Sequence, residues 1–355
     1  MRRRLILTAF TAFALAVPLW AAPPQAAAVP QLIDLRVNPL IDLHYWVRKL
    51  ASQQGELPAV VGLPEAVTAV RRGGAALGDL GLWGVVDGSF TEASTAAELA
   101  RVATEVPESF TTRDGRSIPV RQILTDLAAA YGRLEKSFLA SVWPGHREIA
   151  ERAGAALRQQ LLPKAPEVYA DISRHLGVPV PPQPLPVYLV AAAPFPGAFT
   201  YRSQEGPFSV VALEGEPGSA WVEIVIHETI HALDVHAGEG SVLAELRSRL
   251  GKVPGASPKE VHDFVHTVMF AQAAGTVRRV LQPNHKDYGD AAGYYLKVPR
   301  AAAVVVPAWR DYLEGKLNRE AVVEKIVKGF AEGLAKEKGG SQAAPVKPPE
   351  GKDRS

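Results

Sequence analysis

The sequence of 355 residues contains no cysteine. This absence excludes disulfide bonds, and it excludes a lipoprotein anchor, which requires a cysteine. The fold must therefore be stabilised by a packed core or by a bound metal ion. The hydrophobic share of 47% is enough for a sizeable core, in one large domain or in two closely packed domains.

The net charge of this chain is also small. The formal net charge is +2, to which Arg2, Arg3 and Arg4 contribute three positive charges, so residues 29–355 carry −1. The apparent basicity therefore belongs to the N-terminus, and we predict no nucleic-acid partner. No pattern in the sequence indicates an oligomeric state.

Long apolar runs are missing beyond the N-terminus, so we predict no transmembrane anchor. The basic residues Arg2, Arg3 and Arg4 precede the apolar run Leu5–Val17, and small residues follow at Ala21–Ala22 and Ala26–Ala28. This order is typical of a secretory signal peptide, here over residues 1–28. We therefore expect an exported protein, periplasmic or extracellular.

Residues 29–176 are predicted to form a helical N-terminal region. Residues 29–38 are expected to be an extended lead-in. The clearest helix is Arg121–Trp143, whose apolar residues recur at spacings of three and four. No motif in this region carries chemistry, and we interpret it as scaffold.

Residues 177–335 have a different pattern. The proline-rich segment 177–186 is followed by short strands and then by further helices. The predicted strands are Val187–Ala192, Ala198–Tyr201 and Pro207–Leu213. Residues 336–355 are rich in lysine, glycine, proline and glutamate and are predicted to be disordered. The fold class is therefore α+β and mainly helical.

The chemistry of the chain is concentrated in the pentapeptide His227-Glu228-Thr229-Ile230-His231. On a helix, residues four apart share a face, so both imidazoles can reach one ion. Two histidines and a third ligand suit Zn²⁺ and leave one position open for water. Glu228 then lies beside the metal, where it can take a proton from the bound water.

This segment resembles the active-site helix of the zincin metallopeptidases. In that superfamily the two motif histidines bind zinc and the glutamate is the general base and acid. The resemblance implies that His227 and His231 are ligands and that Glu228 is the catalytic carboxylate. It also implies a zincin-like core over residues 177–335, with a small, mostly antiparallel sheet packed on the motif helix. Pro207–Leu213 would be the edge strand that pairs with an extended peptide substrate.

A third zinc ligand must come from another part of the chain. The helix predicted over Pro258–Leu281 offers His266, which lies among apolar residues where an unpaired polar ring would be costly. The run from His266 to Arg278 is also similar to a segment downstream of the motif in some uncharacterised bacterial exported proteins. Glu260 and Glu245 are alternative ligands. His266 could instead be a core histidine bonded to a carbonyl group.

An oxyanion donor is the remaining requirement of a peptidase site. The loop 282–296 contains Tyr288, Tyr294 and Tyr295, which are candidates for this role, and His285 is a weaker one. Each tyrosine could equally serve in packing.

The sequence therefore predicts an exported zinc-dependent hydrolase, a metallopeptidase that acts on a peptide or protein substrate. The main alternative is a non-catalytic exported metal- or peptide-binding protein. A further alternative is a structural envelope protein in which the motif is accidental. Glu228 favours catalysis, because a binding site has no need of a base beside the metal.

Overall fold

The computed structural model describes most of the chain. The described residues are 32–78, 82–112, 114–203, 205–214 and 218–340, and they belong to one compact unit. The predicted signal peptide, residues 1–28, lies outside them, as does the tail from residue 341 onward.

Helices make up most of the described residues, as expected for a mainly helical α+β protein. They are α1 (Pro39–Ser52), α2 (Leu63–Leu77), α3 (Trp83–Asp87), α4 (Ala96–Glu105), α5 (Val120–Ser141), α6 (Trp143–Gln160), α7 (Ala165–Leu176), α8 (Ser219–His236), α9 (Val242–Gly251), α10 (Pro258–Thr276), α11 (Tyr288–Ala291), α12 (Tyr294–Lys297), α13 (Pro299–Leu313) and α14 (Arg319–Gly340). A π-helical segment, Val277–Leu281, continues α10. In the part of the chain that the structure describes, no helix is long and apolar enough to cross a membrane.

The strands form one four-stranded sheet and one small hairpin. They are β1 (Ile33–Arg36), β2 (Phe110–Thr111), β3 (Ser117–Ile118), β4 (Leu185–Val190), β5 (Ala198–Ser203) and β6 (Gly206–Ala212). The larger sheet has the order β1-β4-β6-β5, and β2 pairs with β3. β4 is parallel to both β1 and β6, whereas β5 is antiparallel to β6.

The expectation of a mostly antiparallel sheet is wrong, because two of these three pairings are parallel. Residues 29–38, expected to be a lead-in, supply β1. The segment Pro207–Leu213 is also a central strand rather than an edge strand. Residues 208–211 of β6 are all buried, which requires packing on both faces, whereas in β5 only Phe199 is buried. β5 therefore forms one edge of the sheet, and β1 forms the other.

The sheet separates two hydrophobic cores, because successive residues of a strand point to opposite faces. Val187, Leu189 and Val211 face a core that contains α8 and the later helices, together with apolar residues of α6 and α7. Tyr188 and Val190 face a second core built with α1 to α5. The first core thus combines residues from both sides of position 176. α14 continues to Gly340, into the segment predicted to be disordered.

An ionic network lies inside the second core, behind β5. The Asp87 carboxylate accepts hydrogen bonds from Arg48 at 2.7 Å and from the Tyr45 hydroxyl at 2.8 Å, and His44 Nε2 lies 3.0 Å away. Burial alone would raise the pKa of Asp87, but the Arg48 charge and these hydrogen bonds hold it below its ordinary value. Arg48 also lies 5.5 Å from the centre of the Phe199 ring, so the network supports β5 from the side opposite α8.

This network generates a stability prediction. We expect Asp87→Ala to lower the free energy of unfolding by about 3–5 kcal/mol, because it leaves a buried guanidinium without its counter-charge. Urea unfolding followed by circular dichroism measures the change. Glu105→Gln, which breaks an exposed pair with Arg101, is the control and should have little effect. A loss for Asp87→Ala as small as that of the control would show that Arg48 is solvated.

Candidate metal centre

The motif helix α8 is buried within the first core. Trp221, Val222, Val225, Ile226 and Ile230 all belong to that core. A helix that is apolar around most of its surface lies inside a protein, and α8 contacts both β5 and β6 on one side and α10 on another. The polar residues of the motif are therefore held in an apolar setting.

Three histidines converge between α8 and α10. His227 and His231 lie one turn apart on α8, and His266 projects from α10. The Nε2 atom of His227 lies 3.1 Å from Nε2 of His231 and 3.1 Å from Nε2 of His266. The ligand atoms of all three residues lie within 4.8 Å of one another, the one such group found in the described part of the chain.

The chemistry of these donors suits a cation. Burial lowers the pKa of His227 well below its ordinary value, that of His231 to about 4 and that of His266 to about 3. A neutral imidazole has a single lone pair, so Nε2 of His227 cannot satisfy two neighbouring nitrogens at once. A central cation can accept a lone pair from each ring. Tetrahedral zinc with its usual bonds to nitrogen would place these atoms about 3.3 Å apart, close to the observed 3.1 Å.

The alternative third ligands have other partners. Glu260 accepts hydrogen bonds from the backbone and hydroxyl of Ser257 at the start of α10, and it pairs with Arg300. Glu245 pairs with Arg319. Neither carboxylate belongs to the histidine group, so the geometry favours His266 over both.

Glu228 follows His227 directly on α8 and is only 5% exposed. Thr200 on β5 donates its hydroxyl proton to Oε2 of Glu228 at 2.6 Å, and Ser209 Oγ lies 2.9 Å from the same hydroxyl. Burial raises the pKa of Glu228 to about 7, although the hydrogen bond from Thr200 opposes the shift. A fixed carboxylate with a pKa near neutrality is suited to general-base chemistry.

The structure brings one of the three candidate tyrosines to this group. The Tyr294 hydroxyl lies 3.3 Å from Nδ1 of His266, and its ring stacks on Phe270 at 4.2 Å. Phe270 in turn lies 4.0 Å from the His227 ring. A His266 tautomer that donates its Nδ1 proton to the Tyr294 oxygen leaves the Nε2 lone pair directed at His227. This contact makes Tyr294 a partner of His266, where the sequence suggested an oxyanion donor.

The other two tyrosines have contacts elsewhere. The Tyr295 hydroxyl donates to Asp287 at 3.0 Å. The backbone N–H of Tyr288 donates to Glu223 at 2.8 Å, and the weaker candidate His285 also contacts Glu223.

Sequence reasoning missed Thr200 and Glu223, and it placed Phe270 only among the apolar neighbours of His266. Thr200 lies in a correctly predicted strand, but its contact with Glu228 depends on that strand being next to the motif helix. Glu223 could have been noticed, because it precedes His227 by four residues and therefore shares its helical face.

Comparisons with known proteins supply no relative from which a function could be transferred. No family model matches the sequence, and no curated protein and no solved structure matches it significantly.

Proposed function

We propose that the protein is an exported zinc-dependent hydrolase of the zincin type, a metallopeptidase that acts on a peptide or protein substrate. The observation that carries this proposal is the convergence of His227, His231 and His266, together with the burial of Glu228 on the same turn of α8. A metal-storage or structural site would need the three nitrogens but not the adjacent base. Export rests on the signal peptide predicted from residues 1–28.

The proposed chemistry assigns a role to each of these residues. The three histidines would hold the ion, and zinc bound there would supply Lewis-acid chemistry, acidifying water and polarising a carbonyl group. Glu228 accepts a proton from the attacking water and delivers it to the leaving amine. Thr200 keeps the carboxylate oriented through its 2.6 Å hydrogen bond.

The edge strand supports a peptide as the substrate. β5 is at the end of the sheet, and Thr200 on this strand touches both the side chain and the backbone carbonyl of Glu228. An extended peptide can add to an exposed strand edge through main-chain hydrogen bonds. A substrate aligned along Ala198–Thr200 would therefore pass beside the base. A zincin-like core, with the motif helix packed against the sheet, is part of the same proposal.

Metal content tests the ligand set. We expect one zinc ion per chain in the purified wild type and in Glu228→Gln, and loss of zinc in His231→Ala and His266→Ala, measured by elemental analysis after dialysis. Glu260→Gln and Glu245→Gln are matched controls that should retain the ion. Wild-type protein without stoichiometric metal, even after zinc is supplied, would contradict the proposal.

Peptide hydrolysis tests the role of Glu228. With an unfolded protein or a mixed peptide library as substrate, we expect Glu228→Gln to lower kcat by about 10²–10⁴-fold, the usual contribution of a general base. Its zinc content should stay at the wild-type level. A chelator should abolish wild-type activity and added zinc should restore it. A zinc-loaded wild type that cleaves nothing would favour the non-catalytic metal-binding alternative.

The hydrogen bond from Thr200 generates a separate prediction. We expect Thr200→Val to lower kcat by about tenfold or more with little change in KM, because a hydrogen bond to a charged group contributes about 1.5–3 kcal/mol. Thr200→Ser keeps the hydroxyl and should retain most of the activity. Equal kcat values for the Val and Ser variants would show that the hydroxyl does not position the base.

A further inference from the structure

A buried carboxylate–imidazole pair lies one helical turn before the motif. Glu223 precedes His227 on α8, and its side chain is 1% exposed while that of His285 is fully buried. Oε2 of Glu223 accepts a hydrogen bond from Nε2 of His285 and another, at 2.8 Å, from the backbone N–H of Tyr288. This carboxylate therefore ties the loop after α10 to the motif helix.

Stability alone does not account for this pair. Oε1 of Glu223 and Nδ1 of His285 are buried and have no hydrogen-bond partner among the described residues. Buried polar atoms without partners are costly, and two apolar side chains of similar volume would pack the same space more favourably. What the polar pair adds is a fixed orientation of the loop.

The fixed loop leads directly to the histidine group. After His285, Asp287 accepts hydrogen bonds from the Gly289 backbone at 2.9 Å and from the Tyr295 hydroxyl at 3.0 Å. The next residue after the turn at Gly293 is Tyr294, the partner of His266. The loop between His285 and Tyr294 is short and contains its own hydrogen bonds, so the position of His285 constrains the position of Tyr294.

We propose that Glu223 and His285 form a positioning pair, which holds Tyr294 against His266 and thereby fixes the orientation of the third ligand. This inference rests on the proposed metal site and deepens it. Among the described residues, no side-chain hydrogen bond joins Glu223 or His285 to the three histidines, so the effect of the pair reaches the ion through the loop, Tyr294 and His266.

Zinc affinity tests the proposal without any activity assay. The variants are Tyr294→Phe, the double variant Glu223→Leu/His285→Leu, and the triple variant that combines them. Partners of ligating histidines typically contribute at least tenfold to metal affinity, so we expect the zinc Kd to rise about tenfold in each of the first two variants. Competition with a chromophoric chelator measures this Kd.

The triple variant decides whether the pair acts through Tyr294. If it does, the triple variant has the same Kd as either simpler variant, because the same contact is lost in all three. The absorption spectrum of the cobalt-loaded protein should also change in the same way in all three, since it reports ligand geometry. An unchanged Kd in the double variant, or additive losses of about a hundredfold in the triple variant, would overturn the proposal.

A second carboxylate–imidazole pair, with a buried aspartate and a half-buried histidine, supplies a control. Asp42 accepts a hydrogen bond from the Ala191 backbone at 2.7 Å and another from His146, so it has the same kinds of partner as Glu223. Asp42→Leu/His146→Leu should leave the zinc Kd at the wild-type value. A similar loss in this control would attribute the effect to general disruption and overturn the proposal.

Two further results separate the possible failures. Thermal unfolding shows whether the double variant Glu223→Leu/His285→Leu folds. If it does not fold, Glu223→Gln replaces it. Glutamine keeps one acceptor oxygen, so we expect a smaller rise in the zinc Kd, about threefold. An unchanged Kd in a folded Glu223→Gln variant would count against the pair. A wild type that binds no zinc would remove the proposed function and this inference together, whereas normal zinc binding in both wild type and pair variants would remove only the inference.

Discussion

The convergence of three imidazole nitrogens between α8 and α10 is the constraint on which the arrangement of the site depends. Each ring must be brought into an apolar interior, where its charged form is disfavoured and its lone pair needs a partner. The two helices meet this requirement together: α8 contributes two of the rings and α10 contributes the third. Apolar residues surround α8 at this crossing and hold its position. As a result, Nε2 of His231 and Nε2 of His266 each lie 3.1 Å from Nε2 of His227.

The sheet connects this crossing to the remainder of the fold. β5 contacts Glu228 through Thr200 on one face, and its Phe199 ring packs near Arg48 on the other. The helices before residue 176 thus help to set the position of the strand that contacts Glu228. On the opposite side of the site, the loop after α10 is tied to α8 by Glu223. Glu228 and His266 are each held by contacts with a different part of the chain.

Local rules of the sequence predicted much of this, and long-range pairing accounts for what was missed. The spacing of His227 and His231 fixes their common face on any helix, and the apolar neighbours of His266 indicated a buried ring. Strand order was not predictable, because the hydrophobicity of a strand does not specify which strand lies next to it. Thr200 could not be recognised for the same reason. Three tyrosines in one loop look equivalent in sequence, and only the turn at Gly293 and the stacking on Phe270 distinguish Tyr294.

The parallel pairing of β1 with β4 also affects how the protein reaches its native state. Residues 33–36 pair with residues 185–188, so the two strands join only after a long intervening segment has been made. Contacts between such distant positions are slow to form, because the loop between them must be closed first. α8 packs on β5 and β6, which are adjacent in the chain, so the surroundings of Glu228 depend on a local pairing and not on this distant one. The sheet is therefore completed at its β1 edge by a slow, long-range pairing, while the strands that contact Glu228 pair with each other over a short stretch of chain.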